Sequence, residues 1–430
     1  MDVQPFRGLR YNAGAVDMEA VVAPPYDVID AAERDRLAAR SPYNIVRVDL
    51  ANDGYDQAAA RLDQWRATGV LEQEARPAFY AYRQAYRGPA GEELVRWGLT
   101  GMVRVAAYRE GIVFPHERTL PKPREDRLNL LRATRTHLSP VFGLHFDATA
   151  SLDDVLAGAC QGPPAIAITD QDGVDHRLWV LTDPDLLTAV RTALGPARIV
   201  IADGHHRYET ALAFRDEQRE RVGDDPAAPW NYVMMVLVDL NSRGLTVLAT
   251  HRILRQTPLS AADLVHRLEG AFALAPVDLA GQNAAGALLA ALEALGPEPG
   301  FAVYTGGGRG WLARLADHKA WNAVTAGKPD PWRGLDVTVL HELALPRAAG
   351  LDAEAQGSGT YLGYTRDAAE AVAAVDSGQG QAAFLVRPTP AAAVRDIALA
   401  GFSMPQKSTY FYPKLLTGLV LAPLDTPVGL

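Results

Sequence analysis

Apolar and polar positions follow two rhythms along this chain, and the rhythm changes often. Residues 55–71, YDQAAARLDQWRATGVL, space their apolar positions three and four apart, which predicts a helix. Residues 78–108 hold two β-branched and aromatic runs around a Gly-rich turn, which predicts paired strands. NIVRVDL, residues 44–50, reads as a strand, and a charged amphipathic helix is expected from about Arg124 to Thr136, stopped before Pro140. Further on, 176–182 reads as a strand, 184–194 as a helix, and RIVIA, 198–202, as a buried strand. YVMMVLVDL (232–240) and LTVLATHRIL (245–254) look like another strand pair. LSAADLVHRLEGAFAL (259–274) reads as a helix opening an Ala- and Gly-rich stretch, with GSGTYLG (357–363) as a loop. Interleaved strands and helices predict an α/β or α+β fold. The change of texture near 256–260 predicts two regions, 1–255 and 256–430.

Composition narrows the class without naming a function. The chain has 430 residues, 48% of them hydrophobic and 22% charged, an ordinary globular balance. No apolar run reaches the roughly 18 residues of a membrane span, and MDVQPFRGLRYN lacks the layout of a secretory signal. A single cysteine, Cys160, excludes an internal disulfide framework, so a cytoplasmic setting is the expectation. A net charge of −9 argues against a broad nucleic-acid surface. The oligomeric state is not legible, and a homo-oligomer stays open.

One run carries more chemistry than a core requires: IVIADGHHRYETALAF, residues 199–214. A β-branched strand leads to Asp203 and Gly204, and a charged helical pattern comes next. That makes DGHH a strand-to-helix turn. The first amides of a helix have no partner within it, and its dipole favours an anion there. His205, His206 and Arg207 crowd that end as cations, an arrangement that repels itself unless an anion such as phosphate completes it. Arg207 would grip that anion bidentately. The plainer alternative has Asp203 capping the helix, one histidine as a satisfied core residue, and Arg207 paired with Glu209 or Glu217.

DGHHRYETA resembles the phosphate-binding G-x-H-R motif of the ParB/sulfiredoxin superfamily, with Gly204, His206 and Arg207 in place. More broadly, VVAPPYDVI, PHERTLPKPREDRLNLL, IADGHHRYETAL and MPQKSTYFYPKLLTGLV resemble a bacterial and archaeal family that includes ATP-dependent free L-serine kinases. The resemblance implies a ParB/sulfiredoxin-like core and an enzyme that moves a phosphoryl group from ATP, with Mg²⁺, to a small hydroxyl compound such as L-serine. It places Glu117 as the base for the hydroxyl, with Asp203 and His206 as catalytic partners. Gly204, His205, His206, Arg207 and Thr210 would hold the nucleotide, and Asp203 would orient a histidine or bind the metal. Asp27, His116, Lys407, Ser408 and Thr409 would contact the substrate; Asp27 could equally cap a helix near Ala31. Sulfiredoxins carry a cysteine where His205 stands, so reductase chemistry is disfavoured. The basic helix of the DNA-segregation branch is missing too. A nucleotide-binding regulator without transfer activity is the alternative.

Other motifs are weaker. GFSMPQKS, 401–408, fails as a phosphate loop because Gln406 replaces a glycine and Pro405 removes an amide. Lys407, Ser408, Thr409, Tyr410 and Lys414 nevertheless form a polar run suited to a second contact surface. TGGGRG, 305–310, lies between two strand-like runs and reads as a hairpin turn. Lys122, Arg124 and Arg127 either line a phosphate approach or form a solvated face. No H-E-x-x-H or nucleophile elbow occurs.

Overall fold

The structure, a computed structural model, describes residues 1–117, 121–279 and 283–429, with the backbone alone at 121–123. It divides into two compact units, one formed by Met1–Thr246 with residues from Phe411 onward, the other by Val247–Tyr410. The division thus falls before the stretch where the sequence texture changes, and the C-terminal segment returns to the first unit. Leu9 and Leu421 exchange backbone hydrogen bonds at 2.9 Å, and Ala422–Pro423 pairs with Thr136–His137.

The first unit is built on one mixed sheet. Its strands are β1 (Val3–Gln4), β2 (Phe79–Arg87), β3 (Glu93–Arg104), β4 (Val113–Phe114), β5 (Val141–Phe146), β6 (Ile166–Thr169), β7 (Asp175–Leu181), β8 (Arg198–Asp203) and β9 (Tyr232–Asp239). They run in the order β4-β8-β5-β9-β3-β2-β7-β6, with β1 on β3. β2 and β3 form the expected antiparallel pair. Among the helices of this unit are α1 (Val46–Asp49), α2 (Tyr55–Ala67), α3 (Pro121–Thr134), α4 (Pro184–Leu194) and α5 (His205–Val222). The core joins Ile199 and Ile201 of β8, Met235 and Leu237 of β9, and Tyr208 and Ala211 of α5. Tyr208 fixes α5 to the chain after β3: its hydroxyl donates to the Ala106 carbonyl at 2.7 Å and accepts the Ala106 amide at 3.0 Å.

Two sequence expectations are overturned here. Residues 46–49 are helical, not extended, because the buried Asn44 side chain accepts the Val46 amide at 3.1 Å and donates to the Ala20 carbonyl at 2.8 Å. That closes a turn which the apolar pattern alone does not reveal. The run 245–254 does not pair with 232–240. β9 lies between β5 and β3, whereas β10 (His251–Leu254) belongs to the second unit.

The second unit has its own sheet. It continues with β11 (Phe272–Val277), β12 (Gly300–Tyr304), β13 (Gly310–Leu315), β14 (Leu362–Thr365) and β15 (Ala382–Leu385), in the order β11-β13-β12-β15-β10-β14. The 305–310 glycine run is the β12–β13 hairpin turn, with Gly306, Gly307 and Gly308 all at positive φ. The expected 259–274 helix is shorter, Ala261–Leu268, and its last residues enter β11. No helix among the described residues is long and apolar enough to cross a membrane.

Candidate functional site

The turn from β8 into α5 brings together most of the candidate residues. Ile199, Val200 and Ile201 make β8 a fully buried strand. Its register against β5 shifts between Ile201 and Asp203, the kind of bulge that re-aims a side chain at a strand end. Gly204 comes next at φ 87° and ψ 32°, a left-handed conformation that favours glycine. No side chain caps α5, so the capping role considered for Asp203 is not realised.

Asp203 instead sits between two cations. Lys414 Nζ lies 3.3 Å and an Arg207 amino group 3.4 Å from the same carboxylate oxygen. Burial opposes its charge, but Lys414 and Arg207 outweigh that and hold the carboxyl well below its usual range. Glu209 and Glu217, the other partners considered for Arg207, face Arg124 at 3.8 Å and Arg132. Arg207 also donates to the Pro140 carbonyl, yet its Nε is buried without a hydrogen-bond partner. Its side chain is only 10% exposed. A Cβ on Gly204 would come within 2.8 Å of that Nε, so the glycine also permits the guanidinium to lie against the turn.

The histidines decide between the two readings, in favour of one histidine as a satisfied core residue. His205 is not a cation, because burial holds its pKa well below the ordinary value. Its Nε2 accepts the His116 amide at 3.3 Å. Burial likewise lowers His116 to about 4, and its Nδ1 donates to the Ile201 carbonyl at 2.5 Å. The two rings meet edge-on at 4.6 Å. With His205 neutral, Arg207 and Lys414 bring positive charge to the turn. The neutral His116–His205 pair ties the segment before α3 to the first turn of α5. Glu117, half-buried, comes directly after this tie, and His206 is half-buried on α5.

A clamp that the sequence did not suggest holds Lys414 in place. Arg96 on β3 is buried, with its Nε 3.1 Å from Gln84 Oε1 and its amino groups on the Tyr412 carbonyl, at 3.0 Å, and the Pro413 carbonyl. Gln84 donates to the Lys414 carbonyl at 3.0 Å. A polar pair facing inward on two strands was the available signal.

On the other side, Arg207 and Thr210 line a cavity of about 50 Å³ together with Tyr26, Asp49 and Arg127. Thr210 directs its hydroxyl to the Arg124 carbonyl at 3.4 Å. The Arg127 and Arg207 guanidinium carbons lie 4.3 Å and 5.9 Å from the Tyr26 ring centre. Asp27 is exposed, and helix capping near Ala31 falls to Asp30, which accepts the Glu33 amide at 2.8 Å. Asp27 still bears electrostatically on Arg207 and Tyr26. The side chain of Lys122 lies outside the described residues.

Lys407, Ser408 and Thr409 belong to the second unit. There the Ser408 hydroxyl donates to the Pro405 carbonyl at 2.5 Å, while its own carbonyl accepts from Thr389 at 2.8 Å. Of the polar run, Lys414 is the residue brought to Asp203.

For Mg²⁺ the fit is poor. Asp203, the carboxylate proposed for it, already faces two cations and has little charge to offer a divalent ion. Positive charge at this turn comes from the Arg207 and Lys414 side chains.

A family model described as "Protein of unknown function (DUF1015)" matches residues 3–338. Among curated proteins, none matches the sequence. Similar solved structures include a conserved hypothetical protein from Pyrococcus furiosus, 13% identical, covering 75% of this chain and 95% of that one at a TM-score of 0.36. A free serine kinase in complex with AMP is 14% identical, covering 72% and 86% at 0.34. A C-terminally truncated SbnI from Staphylococcus aureus is 11% identical, covering 76% and 88% at 0.36. Likeness of this degree carries no functional argument.

Proposed function

The chain belongs to the DUF1015 family, and from that premise we propose that it is a kinase transferring a phosphoryl group from ATP to the hydroxyl of L-serine or a related hydroxy amino acid. One observation carries the reading. Two long cations from distant parts of the chain converge on Asp203 where an 18-residue helix opens, and one keeps a buried donor without a partner. The opening amides of that helix, which have no partner within it, add to the positive potential that an oxyanion would meet there. The resemblance of DGHHRYETA to a phosphate-binding motif supports the same ligand.

Phosphoryl transfer asks a protein for alignment and charge stabilisation more than covalent help. In this mechanism the opening amides of α5, with Gly204, His206 and Arg207, hold the nucleotide phosphates. Lys414 and Arg207 offset the charge on the moving group, and Asp203 holds those cations in register. His116 and His205, being neutral, fix the segment carrying Glu117, which takes the hydroxyl proton. Thr210 steadies α5 against the Arg124 backbone.

The test is incubation with ATP, Mg²⁺ and L-serine, assayed for O-phosphoserine and ADP. Glu117→Gln is expected to bind nucleotide normally and to lower turnover by about 10²–10⁴-fold. Full activity in that variant moves the base elsewhere, with Asp27 the next candidate. Nucleotide binding without either product identifies a regulator instead.

A further inference from the structure

β2 turns polar side chains inward where a core strand would carry apolar ones. Tyr82, Gln84 and Tyr86 alternate along it, so they share one face, and all three are buried. Buried polar groups are kept where they have partners, and here the partners follow the chain two residues at a time. The Tyr86 ring meets the Tyr412 ring edge-on at 5.4 Å, Gln84 holds the Lys414 carbonyl, and the Leu416 amide hydrogen-bonds to the Tyr82 hydroxyl. Steps of two on both sides make a ladder of side chains that fixes residues 412–416 against the sheet. Lys414, whose Nζ reaches Asp203, lies in the middle of it.

The Tyr82 rung is anchored from behind. Its Oη lies 2.6 Å from His176 Nδ1, and His176 Nε2 lies 2.9 Å from Asp170 Oδ2. The direction of each bond follows from the one before it. With the Leu416 amide donating to the phenolic oxygen, the hydroxyl proton goes to His176 Nδ1. His176 then carries its own proton on Nε2 and donates it to Asp170. That carboxylate is itself fixed, because its Oδ1 accepts the Asp172 and Val174 amides at 2.9 Å each where β6 turns into β7. His176 is fully buried and Asp170 partly exposed, so the chain of bonds runs from the surface to the segment carrying Lys414.

We propose that Tyr82, oriented by His176 and Asp170, is a positioning residue for Lys414. The proposal rests on the kinase reading, in which Lys414 offsets charge on the moving phosphoryl group. Arg96 and Gln84 hold the carbonyls of residues 412–414, whereas Tyr82 holds an amide on the far side of Lys414. Thr417 is fixed in turn by backbone hydrogen bonds with Ala23 at 2.8 and 3.1 Å, so the freedom gained on losing the Tyr82 hydroxyl is confined to residues 414–416.

Trace acetic anhydride labelling of the full chain, read by mass spectrometry as Lys414 against the exposed Lys319, tests the proposal without reference to activity. Tyr82→Phe keeps the ring and removes the hydroxyl, and should raise Lys414 labelling about fivefold, the shift that one lost hydrogen bond permits. It should lower kcat for phosphoserine formation by a similar factor with KM for ATP unchanged, and have no further effect in a Lys414→Met background. Two histidine variants separate positioning from support of the β6–β7 turn. His176→Asn keeps an acceptor at the place of Nδ1 and should behave as the parent. His176→Gln keeps a donor at the place of Nε2 and should behave as Tyr82→Phe. Circular dichroism checks that each is folded, and Tyr82→Phe decides where a histidine variant is not. Unchanged Lys414 labelling in Tyr82→Phe, the same fall in kcat with Lys414 already removed, or the opposite ranking of the histidine variants overturns the proposal. A parent chain that makes no phosphoserine ends the kinase reading, and the labelling then decides the positioning by itself.

Discussion

Arg252 in the second unit and Arg207 in the first are wired differently. In the second unit, Arg252 donates from Nε to His341 Nε2 at 2.9 Å. Its amino groups reach the carbonyls of Thr250, Gln406 and Lys407, the last two at 3.2 and 3.1 Å. His341 donates in turn to Gln356 Oε1 at 2.7 Å, and the Gln356 amide holds the His341 and Leu351 carbonyls. In the first unit, Arg207 leaves Nε buried without a partner, beside a cavity. A guanidinium enclosed by carbonyls holds the chain in shape; one that shares a carboxylate with Lys414 where a helix opens carries charge that a ligand can use.

The comparison breaks first at Arg207. Arg207→Gln should lower kcat/KM for phosphoserine formation by about 10³-fold, the scale of losing one charge-stabilising donor. Asp203 retains Lys414, so urea unfolding should show a stability change of no more than about 1–2 kcal/mol. A large loss of stability with turnover intact would make Arg207 another structural arginine.

Arg252→Met tests the opposite pole. It leaves three carbonyls and a histidine nitrogen without their donor, and should destabilise the second unit by about 3 kcal/mol. Urea unfolding followed by hydrogen exchange within Val247–Tyr410 measures it. A variant as stable as the parent would show that the enclosed network is not structural.

How much of the molecule was legible depends on how local each signal is. The strand, glycine and charged helix at 198–222 could be read directly, because β-branched burial, a left-handed turn and a helical pattern are short-range. The turn at 44–50 escaped because it depends on the Asn44 side chain reaching the Ala20 carbonyl. Lys414 stood out as part of a polar run, but pairing it with Asp203 needed the C-terminal segment to return across the first unit. The 245–254 run looked like a partner for 232–240 because composition does not say which sheet a strand joins. Charge on His205 was misjudged for a related reason: the sequence shows the imidazole, and only the packing shows that it is desolvated.

Those buried histidines give the units different responses to acid. In the first unit burial lowers His116, His137 and His145 to about 4, and His205 well below its ordinary value. In the second, His251 is lowered to about 4 and His341 to about 3. Each folded value lies below the unfolded value near 6.5, so the unfolded chain binds protons first. The stabilisation is present above pH 6.5 and is lost as pH falls toward 4. Two additional histidines should make the first unit lose roughly 2.7 kcal/mol more per pH unit in that window. Hydrogen exchange at pH 6.5 and 5.0, read separately for each unit, checks the difference. Equal slopes would erase it.

The smallest expected effect separates backbone strain from displacement of Arg207. Gly204 and Gly223 bound the same helix at φ 87° and 90°. Alanine at either position should cost about 1–3 kcal/mol through conformation alone. The surroundings differ: a Cβ at Gly204 would lie 2.8 Å from Arg207 Nε, whereas nothing lies within 4 Å at Gly223. Gly204→Ala should therefore push the guanidinium off the turn and weaken L-serine-dependent turnover by roughly tenfold, about 1.4 kcal/mol. Gly223→Ala should lose similar stability with turnover unchanged. Equal turnover in the two variants would show that the position of Arg207 against the turn does not matter, and would remove the geometric basis for treating it differently from Arg252.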